Sequence, residues 1–264
     1  MTKPASPRAL VTGAGARIGR AIALALGEAG HDVALHCNHS TDGAEAAAEE
    51  IRAMGRRATV VQADLMDAAR VEALVPEAAE ALGGPLTCLV NNASGFKFDR
   101  IDTASAENWE INTATNLRAP LFLLQAFAAQ APEPLEDEAG EKIAQALCVN
   151  MLDQRIRNLS PELITYTIAK MGLWTLTRTA AQGLGPKVRV NGIAPGSTLK
   201  AEQEPEERFR ARRKAGLLER GTNPEDIVAA LRYLLEARTV TGQAIVVDGG
   251  QHLIWSRLDS AGWS

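Results

Sequence analysis

Tyr166 and Lys170 stand four residues apart in a stretch, 164–183, whose apolar pattern predicts a helix, so their side chains share one face. A phenol with a pKa of about 10 is a poor proton shuttle at neutral pH. A neighbouring ammonium favours the phenolate and lowers that value. The pair is therefore suited to general acid–base chemistry, with Tyr166 as the proton carrier.

A second chemical feature lies near the N-terminus. An apolar run passes directly into Thr12-Gly13-Ala14-Gly15-Ala16-Arg17-Ile18-Gly19. A glycine-rich turn between a strand and a helix lets backbone N–H groups approach a pyrophosphate at the positive end of that helix. The spacing T-G-x-x-x-R-x-G differs from the common G-x-G-x-x-G, but its place on the first strand–helix turn predicts a dinucleotide site with Gly13, Arg17, Ile18 and Gly19 in it. The next strand ends Leu35-His36-Cys37-Asn38-His39-Ser40, with no Asp or Glu. A carboxylate there would hold a ribose 2′-hydroxyl and repel a 2′-phosphate. Its absence, with Arg17 close by and Asn38, His39 and Ser40 in its place, favours NADP(H).

These residues need a scaffold that brings distant segments together. Short β-rich runs at 9–12, 32–37, 58–62, 86–91, 147–151, 188–193 and 244–248 alternate with helical patterns at 18–29, 43–54, 68–82, 112–129, 164–183 and 224–236. Several strands are continuously apolar, as expected when both faces are covered. The alternation predicts right-handed crossovers and one α/β domain over 1–264, a Rossmann doubly wound parallel sheet of about seven strands with helices on both faces. Two stretches interrupt the rhythm. The acidic, Pro-rich 132–141 reads as a surface loop. The charged 197–221 reads as a solvated helix face or a mobile lid over the strand ends.

Composition narrows the function. The 264 residues are 46% hydrophobic and 23% charged, with a net charge of −4 and 4% aromatics. That is enough chain for a large core, and it lacks the basic excess of a nucleic-acid binder. Cys37, Cys88 and Cys148 are scattered and read as buried, reduced thiols. His31, His36, His39 and His252 show no ligand spacing, so no metal is expected. The longest apolar window, 119–132, is too short to span a bilayer. No N-terminal run resembles a signal peptide, which places the expected protein in the cytoplasm.

Several motifs recur in order along the chain: the 12–19 loop, Asp64 in Ala-Asp-Leu, Asn91-Asn92-Ala93, Asn116, Tyr166-x-x-x-Lys170, Asn191-Gly192-Ile193-Ala194-Pro195-Gly196 and Asp248-Gly249-Gly250. Together they resemble the short-chain dehydrogenases/reductases. The resemblance implies that Asp64 and Leu65 contact the adenine. It implies that Asn92 and Ala93 line the cofactor channel, and that Pro195, Gly196 and Ser197 flank the nicotinamide. Lys170 would also bind the nicotinamide ribose, and Asn116 would extend the proton relay through water. A homotetramer is implied as well.

The chain departs from the common pattern of that family in one place above all. The usual serine thirteen residues before the tyrosine is Asp153. A carboxylate repels a developing alkoxide, whereas a carboxyl group suits a nitrogen heterocycle. Arg17 in the glycine loop and Ser94-Gly95-Phe96 after Asn92-Ala93 depart in the same direction. These features resemble the pteridine reductases and the dihydromonapterin reductases. That resemblance implies that Ser94 binds pterin and cofactor, that Phe96 stacks on the pterin ring, and that Asp153 and Tyr166 meet the substrate. It implies NADPH-dependent reduction of a dihydropterin. The alternatives are a carbonyl or 3-oxoacyl-thioester reductase of the same family and a non-catalytic NADP-binding sensor. Arg208, Arg210, Arg212 and Arg213 are expected on a solvated helix. Trp255 and Arg257 are expected near a neighbouring subunit's pocket.

Overall fold

The computed structural model describes residues 6–200 and 205–254, so Trp255 and Arg257 lie outside the described residues. The described residues form nine strands: β1 (Arg8–Val11), β2 (Asp32–Cys37), β3 (Ala58–Gln62), β4 (Cys88–Asn91), β5 (Leu135–Glu136), β6 (Lys142–Ile143), β7 (Ala146–Met151), β8 (Val188–Pro195) and β9 (Ala244–Val247). Seven of them make one sheet in the order β3-β2-β1-β4-β7-β8-β9, with every pair parallel. The helices are α1 (Arg17–Glu28), α2 (Thr41–Ala53), α3 (Ala68–Ala81), α4 (Ala106–Thr113), α5 (Ala119–Gln130), α6 (Ile164–Leu184), α7 (Glu206–Lys214) and α8 (Pro224–Glu236). This is the doubly wound α/β sheet expected from the sequence.

The pleat sorts the core into two layers. Ala9 and Val11 of β1 join Ile22, Leu26, Ile51 and Leu231 from α1, α2 and α8. Leu10, between them, points the other way and joins Leu74, Leu123 and Phe127 from α3 and α5. β1 is therefore apolar on both faces, and β2, β4 and β7 are likewise buried along their length, which explains the unbroken apolar runs. All three cysteines are buried. Burial pushes the Cys88 thiol up to about 12 and raises that of Cys148 also.

Strand order reverses between β1 and β4, because β2 and β3 were added on one side and β4, β7, β8 and β9 on the other. The loops leaving β1 and β4 diverge there, so a crevice opens at the carboxyl ends of the strands.

Three expectations are refined. The helix expected at 112–129 begins earlier, at Ala106, where the Ser105 side chain accepts the N–H of Asn108 at 3.1 Å. It runs through a π-helical turn at Ala114–Arg118 before α5. Stretch 132–141 is not merely a loop, because β5 and β6 pair as an antiparallel hairpin around it. Within 197–221, α7 has no buried residue, as a solvated helix should. No helix among the described residues is long and apolar enough to cross a membrane.

Candidate active site

The crevice is a cleft of about 800 Å³ lined from the glycine turn to Tyr166. At its cofactor end, α1 is preceded at its N-cap by Ala16, which has no side-chain oxygen, and its first turn has no acidic residue. The first N–H groups of the helix are thus left for an anion. A Cβ on Gly19 would stand 2.1 Å from the Gly13 carbonyl oxygen, and one on Gly15 would stand 2.4 Å from that of Ser40. Close backbone approach therefore fixes both as glycine.

The turn is tied to the far side of the crevice. The Thr12 hydroxyl oxygen accepts the N–H groups of Asn92 and Ala93 at 2.9 and 3.0 Å. The Asn92 amide in return donates to the carbonyls of Thr12 and Gly13 at 2.8 and 3.2 Å. Asn92 and Ala93 thus line the cleft, as expected, and also hold its two walls in register.

His36 is a site residue that the sequence reading passed over. Its Nδ1 accepts the Gly13 N–H at 3.1 Å, which leaves Nε2–H to donate to the Ala63 carbonyl at 3.0 Å. Burial lowers its pKa, although the bond to Ala63 and the charge of Asp64 pull upward. The imidazole is therefore a neutral spacer between the glycine turn and the end of β3. Its place near the end of the fully buried strand β2 is the signal the sequence offers for it.

Arg17, Ile18, Asn38, His39, Asp64 and Leu65 all line the same end. Arg17 holds a left-handed φ of +54° and donates to the Lys200 carbonyl at 3.3 Å. Ser40 departs from expectation. It is exposed, stands where α2 begins, and does not line the cleft.

Pro195, Gly196 and Ser197 form the opposite wall. Arg213 fixes that wall and corrects the view of the arginines as only solvated. Its guanidinium donates to the carbonyls of Ser197, Thr198, Thr222 and Gly221 and to Oδ1 of Asn223, at 2.7–3.2 Å.

At the other end, the Tyr166 hydroxyl donates to Oδ2 of Asp153 at 3.2 Å. Oδ1 of Asp153 accepts the Arg155 N–H at 2.8 Å, and the Arg155 guanidinium lies 3.7 Å from the same oxygen. The Phe96 ring meets Tyr166 edge to face, with centroids 5.0 Å apart. Lys170 is buried. Its Nζ donates to the Met151 carbonyl at 2.7 Å and lies 5.6 Å from the Tyr166 ring centre.

The electrostatics differ from the simple picture of an ammonium lowering a phenol. Burial, and next the Asp153 charge, hold the Tyr166 pKa well above 10, while Arg155 and Ser94 oppose them. Burial lowers Lys170 to about 8 against the pull of Asp153. Tyr166 is thus a neutral phenol at physiological pH and faces the cleft as a proton donor.

Asn116 is placed differently from the expected relay. It is fully buried and does not line the cleft. Its amide donates to the carbonyls of Gly95 and Asn112, and its oxygen accepts the Ser94 hydroxyl at 2.8 Å. Its side chain is thus committed to shaping the Ser94–Phe96 loop.

A parallel doubly wound sheet with a glycine turn at its switch point and a Tyr–Lys pair in the same crevice defines a nucleotide-dependent oxidoreductase. The chain belongs to the short-chain dehydrogenase/reductase family, and residues 13–252 match the family described as enoyl-(acyl carrier protein) reductase. It is similar to pteridine reductase 1 of Leishmania tarentolae, with 33% identity over 290 residues covering 96% of this chain and 98% of that one. It is 32% identical to the 3-oxoacyl-acyl-carrier-protein reductase FabG of Staphylococcus aureus, over 93% of this chain and 98% of that one. Among solved structures, the FolM alternative dihydrofolate reductase 1 of Brucella suis in complex with NADP superposes with a TM-score of 0.87. The two are 40% identical, over 95% of this chain and 96% of that one.

Proposed function

We propose that this protein reduces a 7,8-dihydropterin with NADPH. The observation that carries the reading is the Tyr166–Asp153 hydrogen bond beside the Phe96 ring. Phe96 is 54% exposed in the cleft and offers a face for a flat heterocycle. The similarity to a pteridine reductase and to FolM supports the same substrate class.

The residues present fit NADPH. The glycine cradle leaves room for a pyrophosphate, the α1 N–H groups face it, and the end of β2, at Asn38 and His39, itself supplies no carboxylate against a 2′-phosphate. When bound, NADPH supplies a hydride to the ring carbon next to nitrogen. Tyr166 gives its proton to that nitrogen. Asp153 holds the phenol in line and takes up the relay to solvent, and Lys170, fixed on Met151 in the cleft, would hold the nicotinamide ribose. Ser94, held by Asn116, meets the pterin and cofactor together. The described parts of the 197–221 segment, 197–200 and 205–221, held through Arg213, serve as the lid on that wall.

The test is NADPH oxidation by purified protein with 7,8-dihydromonapterin, 7,8-dihydrobiopterin, 7,8-dihydrofolate and an acetoacetyl thioester in parallel. Turnover confined to the pterins supports the reading. Turnover of the thioester alone supports the second reading, an oxoacyl reductase, which the similarity to FabG favours. NADPH binding without any turnover would support a sensor.

A further inference from the structure

Helix α6 carries both Tyr166 and Lys170, yet it begins without a cap of its own. The residue before it, Leu163, has a left-handed backbone (φ 60°, ψ 47°) and no side-chain oxygen. The open N–H groups of a buried helix start need a partner. That partner comes from 66 residues earlier in the chain. Oδ1 of Asp99 accepts the Thr165 N–H at 3.2 Å, and Oδ2 accepts the Thr165 hydroxyl. The Asp99 carbonyl also accepts the N–H of Leu163 at 2.7 Å. Asp99 is 0% exposed.

The junction extends one layer further. The Asn112 amide donates to the Thr165 hydroxyl at 2.7 Å and to the Lys97 carbonyl at 3.1 Å, while its oxygen accepts the Lys97 N–H at 3.0 Å. Asn112 and Thr165 are buried as well. The Thr165 hydroxyl thus has a fixed direction, accepting from Asn112 and donating to Asp99. Lys97 and Asp99 follow Phe96 by one and three residues, and Thr165 precedes Tyr166.

We propose that Asp99 is a positioning residue for Tyr166: reaching from the Phe96 loop, it caps the helix that bears the phenol, so that loop and phenol are held as one body. A negative charge at a helix N-terminus is favourable in itself. Here the carboxylate also sets the distance between the stacking ring and the proton donor. The role is independent of which substrate the cleft takes.

The chain has two tyrosines. Tyr166 is buried and Tyr233 is 55% exposed, so carbon-13 tyrosine labelling gives two separable signals. The experiment compares Asp99→Ala, Thr165→Val and Thr165→Ser in the full chain with NADPH. It records the two signals, the NADPH dissociation constant, and the kcat and KM for 7,8-dihydrobiopterin. The expected result is a shifted Tyr166 signal and a kcat lowered about 100-fold in the Ala and Val variants, because small misplacements of reacting groups cost that much. NADPH affinity and the Tyr233 signal stay put, and Thr165→Ser restores both kcat and the Tyr166 signal. The Asp99→Ala/Thr165→Val double variant, measured alongside, falls no further than Asp99→Ala, since the two residues act through one contact. An unmoved Tyr166 signal in Thr165→Val overturns the proposal, and that variant decides if Asp99→Ala does not fold. A wild-type protein that ignores dihydrobiopterin refutes the pterin reading, and the Tyr166 signal then still decides this one.

Discussion

Tyr166 donates its hydroxyl hydrogen to Asp153 across 3.2 Å, so a carboxylate stands where many relatives of this fold would place a neutral hydroxyl. The consequence is chemical. A hydroxyl can donate to a ketone oxygen together with the tyrosine. A carboxylate can only accept while ionised, and it suits a substrate that presents N–H groups as well as a proton-accepting nitrogen. Asp153 is itself steadied on its other oxygen by Arg155.

Asp153 and Arg155 should therefore move the pH profile in opposite directions. The Asp153 charge raises the Tyr166 pKa and Arg155 lowers it. In Asp153→Asn the phenol ionises more easily, and the basic limb of kcat/KM shifts to lower pH. In Arg155→Gln it shifts to higher pH. Profiles measured with 7,8-dihydrobiopterin check both signs, and shifts in the same direction would contradict the arrangement.

Tyr166→Phe removes the proton donor and leaves the cofactor contacts. Turnover should fall by about 100-fold to 10,000-fold, the usual worth of a positioned acid. The NADPH dissociation constant, read by fluorescence titration, should stay unchanged. A variant that retains full turnover would place the proton source elsewhere.

Lys170 gives a stability prediction. Its pKa is lowered from 10.5 to about 8, so between those values the unfolded chain binds more protons than the native one. Wild-type stability should then rise with pH across that window relative to Lys170→Met. Converted at 1.36 kcal/mol per pKa unit, the relative gain is about 3 kcal/mol. Urea unfolding of the protein without cofactor at pH 7.5 and pH 10.5, for both variants, measures it. A constant difference between the variants would show that the ammonium is not desolvated.

His36→Leu deprives the Gly13 N–H of its acceptor. A donor left unpaired in the interior costs up to about 1–3 kcal/mol, and because this part-buried one fixes the glycine turn, loosening of that turn is expected to weaken cofactor binding. NADPH affinity should drop about tenfold or more, with kcat at saturating NADPH little changed. His36→Asn, which keeps an acceptor near the Nδ1 position, should recover part of it. Titration with NADPH distinguishes the two.

The parallel doubly wound sheet and the glycine turn and Tyr–Lys ends of the cleft were legible because they rest on local patterns. Val11 runs into Gly13, and Met151 into Asp153, at strand ends where a parallel sheet must put its ligands. The residues that escaped notice act through distance. His36 looks like one apolar-strand residue among others until Gly13 and Ala63 are seen on either side of it. Asp99 sits in a stretch without periodicity, and its partner Thr165 is far along the chain. The start of α4 was missed because its polar residues, such as Asn108 and Glu110, mark no apolar face. For Asn116 the sequence shows the residue but not that its amide is committed to the carbonyls of Gly95 and Asn112. Tyr166 was expected to feel Lys170 first, whereas burial and Asp153 dominate. Desolvation is a property of the folded surroundings, and residue spacing carries little of it.

The three buried thiols have a practical consequence. Cys88 and Cys148 lie on the adjacent central strands β4 and β7, and Cys37 ends β2. A thiol with a pKa near 12 is about one part in ten thousand thiolate at pH 8, and the thiolate is the form that alkylating reagents attack. Labelling of Cys88 thus waits for the central sheet to open. The chain carries its own clock for breathing of that sheet, readable by mass, without any engineered probe.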